Sequence, residues 1–171
     1  MKKELRSAFA TLCDDAMATA APSAVRLKKI PKASAYPGEL SYAEPRVGGT
    51  AFTSFIPDGK RHAFTVELGW SADGVFPAVD MRPSHSPAAA SGASGFVRLS
   101  EFINTAGYAW DAVPMDIAVP GSFERFLAFE MSKPDAEEAT RLLRPLLEDA
   151  INAWSRHAPG FFERVAGAAY R

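Results

Sequence analysis

Apolar residues return along this chain with two different periods, and the change of period marks its elements. Leu5, Phe9, Leu12, Ala16 and Met17 recur at three- and four-residue steps, which places them on one face of an amphipathic helix ended by Pro22. Cys13 lies beside that face and reads as a small buried hydrophobe. Residues 50–56 are rich in Thr and Phe, and residues 61–70 alternate with period two. His62, Phe64, Val66, Leu68 and Trp70 share one side of that second run, and Ala63, Thr65 and Glu67 share the other. Pro57-Asp58-Gly59-Lys60 lies between the runs, with proline suited to a type I turn and glycine to a left-handed position, so the pattern predicts a β-hairpin.

Other segments carry weaker patterns. Val25, Leu27 and Ile30 suggest a short strand. Residues 31–49 are punctuated by Pro31, Pro37, Gly38, Pro45, Gly48 and Gly49 and read as an irregular connection. Residues 75–82 suggest a third strand after a turn at Ala72-Asp73-Gly74. Residues 84–95 are small or polar, and the expectation there is a mobile loop. Strand candidates follow at 107–117, interrupted at Pro114, and at 126–131, where Phe123, Phe126 and Leu127 fit a helical turn equally well.

The C-terminal third predicts helix. Ser132 reads as its cap, with Pro134 in the first turn and Asp135 near the positive helix end. Ala139, Leu142, Leu143, Leu146, Leu147, Ala150, Ile151 and Trp154 form one apolar stripe. Pro145 falls inside it and predicts a kink, because it removes a backbone bond and crowds the preceding turn. Pro159-Gly160 reads as the stop, with Phe161, Phe162 and Val165 in a short final helix. These elements together predict an α+β fold: an antiparallel sheet of about four to five strands packed against an N-terminal helix and a long kinked C-terminal helix. One composition class and no internal repeat predict a single domain over 1–171.

Composition changes this picture little. A chain of 171 residues, 47% hydrophobic and 23% charged, can bury roughly 70% of its unfolded surface without disulfides or metals. The net charge is -1, with no dense basic stretch beyond Arg26, Lys28, Lys29 and Lys32, so no nucleic-acid partner is expected. The single cysteine forms no intramolecular disulfide, and that fits a reducing compartment. Glu4, Arg6, Asp14 and Asp15 interrupt any signal-peptide core, and no apolar run reaches the roughly 18 residues of a membrane span. The expectation is a cytoplasmic protein with no membrane partner; the oligomeric state is left open.

Catalytic chemistry finds no motif. The phosphate loop, the dinucleotide glycine fingerprint, the nucleophile elbow and the zinc and calcium spacings do not occur, and no cofactor is expected. His62, His85 and His157 are scattered, the last read as a cation near a helix end. Glu67, Asp73, Asp80, Asp111 and Asp116 read as solvated acids. Trp70, Tyr108 and Trp110 have the size and polarity of binding anchors. Trp70 ends the best strand, Arg82 ends the next candidate, and His85 lies in the loop beyond. An aromatic face and a planar guanidinium can together hold an anionic or aromatic group, so Trp70, Arg82 and His85 are the candidate ligand-binding residues. The alternative makes Trp70 core and Arg82 a surface ion-pair partner.

Several stretches resemble a loose group of small bacterial domains of unknown function. They are Phe64-Thr65-Val66-Glu67-Leu68-Gly69-Trp70, Phe76-Pro77, Met81-Arg82-Pro83-Ser84, and the helix leading into Pro159-Gly160-Phe161-Phe162-Glu163-Arg164-Val165-Ala166. The likeness covers the middle and the C-terminal end, and residues 31–49 and 84–95 have no counterpart in it. The resemblance implies an α+β fold with a helix on each side of the sheet in sequence, and it carries no catalytic residue and no cofactor. The leading functional expectation is a non-enzymatic interaction module for a protein or peptide partner, of the immunity or accessory type. The alternative is a small-molecule-binding protein, or an enzyme with a site assembled from separate strands.

Overall fold

The computed structural model describes residues 1, 3–30, 35–58, 63–78, 82, 94–103, 110–114, 116 and 118–168. The first helix, α1 (Lys3–Ala20), leads into a short strand, β1 (Val25–Arg26), and then β2 (Leu40–Arg46), β3 (Gly49–Pro57) and β4 (Ala63–Ser71). A fifth strand, β5 (Ser94–Arg98), runs directly into a one-turn helix, α2 (Leu99–Phe102), and is followed by β6 (Trp110–Asp111). Two helices complete the order, α3 (Ser122–Met131) and α4 (Ala136–Ala168). The sheet is antiparallel throughout, in the order β1-β2-β3-β4-β5, with β6 also paired to β4. The α+β class read from the sequence is the class of the structure.

The β3–β4 hairpin is the centre of the sheet. Its register pairs Pro57 with Phe64 and Thr50 with Ser71, and the Asp58 N–H donates to the Ala63 carbonyl at 2.9 Å. Gly59 and Lys60 of the expected turn lie outside the described residues, as does His62. The even-numbered residues Phe64, Val66, Leu68 and Trp70 face the helices. They meet Leu5, Phe9 and Met17 of α1 and the buried stripe of α4, including Leu143, Leu147 and Ala150. Phe9 and Phe64 pack with ring centroids 5.0 Å apart, and Phe64 stacks on Trp110 at 5.6 Å. Indole donors fix the helix on this face: Trp110 Nε1 donates to Asp149 and Trp154 Nε1 donates to Thr53 Oγ1, both at 2.9 Å.

Several sequence expectations are corrected. Residues 40–46 are a full strand of the sheet and not part of an irregular connection. Leu40 and Tyr42 point into the core, and Pro45 lies beyond the two β2 residues that β1 pairs, where the edge has no ladder bond to lose. Residues 75–78 form no strand, Arg82 sits at a bend, and residues 79–81 lie outside the described residues. Ser94 and Gly95, assigned to a loop, begin β5; the rest of that stretch, 84–93, lies outside the described residues. Among the described residues of the 107–117 candidate, only Trp110 and Asp111 are strand, and 107–109, 115 and 117 lie outside the described residues. Residues 126–131 are helix.

The last helix also departs from its expected bounds. Its cap is Asp135, whose Oδ1 accepts the Glu138 N–H at 2.9 Å, and Ser132 instead terminates α3. The helix runs for 33 residues through Pro145, Pro159 and Gly160. All three are solvent-facing, while Leu143, Leu147, Ala158, Phe161 and Phe162 anchor the helix on either side of the lost backbone bonds. Tertiary burial outweighs the local helix-breaking tendency. His157 is therefore mid-helix, where it stacks on Phe102 at 5.6 Å rather than capping an end.

Candidate functional site

Trp70 and Arg82 lie on opposite faces of the sheet. Trp70 points with the even-numbered residues of β4 into the helix-facing core and is buried, its indole nitrogen without an acceptor among the described residues. Arg82 meets Glu67, which the pleat of β4 turns to the other face. No site can be shared by the two side chains. His85 lies outside the described residues.

What surrounds Arg82 is a closed ionic cluster. Its Nη1 and Nη2 donate to the two oxygens of Glu39, at 2.9 and 2.7 Å, and its Nε donates to Glu67 at 2.9 Å. All three side chains are shut off from solvent. The guanidinium carbon lies 4.8 Å from the Tyr36 ring, 5.2 Å from Phe76 and 5.1 Å from Phe96. A planar, delocalised cation suits both the carboxylate fork and the aromatic faces. Burial acts against its charge, but Glu39 and then Glu67 reverse that effect and hold its pKa above the usual arginine value.

Glu39 is placed by the turn that precedes β2. Its carboxylate also accepts the Tyr36 N–H at 2.9 Å and the Ser41 hydroxyl at 2.6 Å. Ser41 is in turn 2.8 Å from the Ser54 hydroxyl across the β2–β3 pair. Glu67 therefore joins a buried network, not the solvated acids with which it was grouped. With every guanidinium nitrogen engaged by protein carboxylates, Arg82 serves as a bridge between β4 and the turn before β2. The surface ion-pair alternative is corrected as well, since the pair is fully buried.

Cys13 is buried in the α1 face, and desolvation, followed by the neighbouring Asp14 charge, pushes its thiol well above the usual range. No nucleophile is poised there. Among the described residues, no group of three or more His, Cys, Asp or Glu side chains is arranged to hold a metal ion, and no helix is long and apolar enough to cross a membrane.

A different surface has unspent binding capacity. On α3, Phe123 is 52% exposed, Leu127 42% and Met131 83%, and Val119 just before the helix is 45% exposed. Phe123, Leu127 and Met131 are spaced four residues apart, so they form one outward stripe. Phe129, on the inner side, packs against the core. The helix is held from both ends. Gly121 takes the left-handed cap position with φ +73°, and Ser122 binds the preceding turn, its hydroxyl accepting the Asp116 N–H at 2.7 Å and donating to the Pro114 carbonyl at 3.1 Å. At the far end the Ser132 N–H reaches the Ala128 and Phe129 carbonyls, and its hydroxyl donates to Phe129. An apolar row is thus displayed on a helix with fixed ends. The Phe123/Phe126/Leu127 spacing carried this signal in the sequence, but it was shared with a strand alternative.

No family model, curated protein or solved structure matches this chain. The class that the fold defines is an α+β sheet with helices on one face.

Proposed function

We propose that this chain is a non-enzymatic interaction module and that it receives a protein or peptide partner on the outer face of α3. The observation that carries the reading is the exposed Phe123–Leu127–Met131 stripe. Isolated surface hydrophobes such as Val25, Val47 and Val75 need no explanation, but a contiguous row on one helix does. An amphipathic helix face of this kind is a recurrent mode of protein recognition, with anchors four residues apart entering a complementary surface. The small-molecule alternative calls for polar groups that converge on open space. The strongest polar group here, Arg82, is spent on Glu39 and Glu67.

The test places a photo-crosslinking residue at position 127 in cells that produce the protein naturally, with the exposed Asn152 as the control position. A discrete protein adduct at 127 and none at 152 is expected. The partner so identified, once purified, should bind the Leu127→Asp variant at least about tenfold more weakly than the wild type. An affinity untouched by Leu127→Asp, or no adduct at 127, would overturn the reading.

A further inference from the structure

The charge around α3 narrows the chemistry of what it binds. Residues 116–138 carry six carboxylates against only Arg125 and Lys133, a net charge of -4 in a chain whose total is -1, which leaves the remainder at +3. Glu124 stands seven residues before Met131, two helical turns along the same row as the stripe. Arg125, one hundred degrees further round, faces away from it. Past Ser132, Asp135, Glu137 and Glu138 follow at the start of α4 and, with Arg141, line an open depression of about 400 Å³. The exposed apolar row thus has Glu124 on its own edge and is bordered along the chain by an acidic stretch.

We infer that the outer face of α3 takes a cationic amphipathic segment, with apolar side chains on Phe123, Leu127 and Met131 and lysines or arginines against Glu124 and the α4 carboxylates. The inference rests on the reading of α3 as the docking face and adds the partner's chemistry. Complementary potentials speed encounter and suppress wrong partners. The same border works against the other occupants. An anionic membrane surface or a phosphate backbone is repelled by it. A second copy docked on the same face brings its own Glu124 and acidic flank against those of the first, a like-charge contact.

The probes are three synthetic helical peptides with one leucine face and a polar face of lysine, glutamine or glutamate, titrated by fluorescence anisotropy against the full chain. The lysine peptide is expected to bind at least about tenfold tighter than the glutamine peptide at low salt, and that advantage should shrink as salt shortens the screening length. Leu127→Asp should weaken both peptides. A second variant, Met131→Ser, changes a side chain that is mostly in solvent and keeps the test open if Leu127→Asp folds poorly. Glu137→Gln with Glu138→Gln should reduce the lysine advantage and leave glutamine-peptide binding unchanged. Equal, Leu127-dependent binding of the lysine and glutamine peptides would overturn the cationic assignment and leave the docking face standing. Binding indifferent to both Leu127→Asp and Met131→Ser would overturn both. Leu127-dependent binding to phosphatidylserine vesicles, or a dimer in sedimentation that Leu127→Asp dissolves, would likewise overturn the inference in favour of a membrane or a second copy.

Discussion

On one face of β4, Phe64, Val66, Leu68 and Trp70 meet two helices and bury only apolar side chains among themselves. On the other face of the same strand, Thr65, Glu67 and Gly69 meet irregular chain, the aromatic rings of Phe76 and Phe96, and the caged Arg82. The helix side is closed by elements that bring their own hydrogen-bonded backbone, so apolar contact suffices. Among the described residues, the opposite side is closed by the turn before β2, residues 75–78 and Arg82, none of them helix or strand, together with the Phe96 ring of β5, and a charge network fixes where they lie. Burial is complete on both faces, but the energetics differ in kind. Apolar packing degrades by degrees when atoms are removed, whereas a buried ionic cluster fails abruptly when one member is lost.

That contrast can be broken most directly at Arg82. Arg82→Ala leaves two carboxylates buried without their cation and is expected to destabilise the protein by roughly 3–5 kcal/mol, read by urea unfolding. A loss below about 1 kcal/mol would place the cluster with surface ion pairs. Replacing the cluster together, with Arg82→Met, Glu39→Gln and Glu67→Leu, should recover most of the loss, because no charge is then stranded.

On the helix side Leu143→Ala should cost about 2–5 kcal/mol by creating a cavity, and the half-buried Leu146 should cost clearly less. The Arg82→Ala and Leu143→Ala losses should add to within about 0.5 kcal/mol, since the sites share no partner across the sheet. Strong non-additivity in the double variant would mean that the two faces are not separate. A smaller effect sharpens the comparison at Gly69, where the Phe96 ring occupies the place of a β-carbon. Gly69→Ala should cost about 1–3 kcal/mol by displacing that ring from Arg82.

The smallest effect belongs to Cys13. Its folded-state pKa is raised, so the thiol stays protonated in the native protein while the unfolded chain ionises near pH 8.5. Stability is therefore full below that pH and falls above it, by about 1 kcal/mol between pH 8.5 and 9.5. Denaturation across that range should show the slope, and Cys13→Ala should flatten it. Rapid labelling of Cys13 in the native protein would contradict the burial itself.

Local pattern made the hairpin and the outer helices legible. Leu5, Phe9 and Met17 of α1, and the strict alternation from Phe64 to Trp70, each place a buried face without help from distant residues. β2 was hidden because Gly38, Pro45, Gly48 and Gly49 read as punctuation, although Leu40 and Tyr42 alternate correctly. β5 was hidden because Ser94-Gly95 continues a run of small residues, and only pairing with β4 makes it a strand. Pro159-Gly160 failed as a stop because Ala158, Phe161 and Phe162 are held by the core. The Arg82 cluster was out of reach for a different reason. Glu39 and Glu67 lie 43 and 15 residues from Arg82, and no periodicity signals that distant charges will be buried together. The α3 stripe was partly visible, but exposure is a tertiary fact, and its spacing alone does not separate a buried helix from a displayed one.

The placement of the tryptophans gives the protein a one-sided optical reporter. Trp70, Trp110 and Trp154 are the three indoles of the chain, and all belong to the helix-facing core. Their emission responds when α1 and α4 leave the sheet. Among the described residues, the Arg82 face contributes a tyrosine and phenylalanines, whose weak ultraviolet emission is masked by indole. Loosening confined to that face would therefore pass unseen in a fluorescence melt. It would register instead in the amide exchange of Tyr36 and of the β5 residues paired to β4.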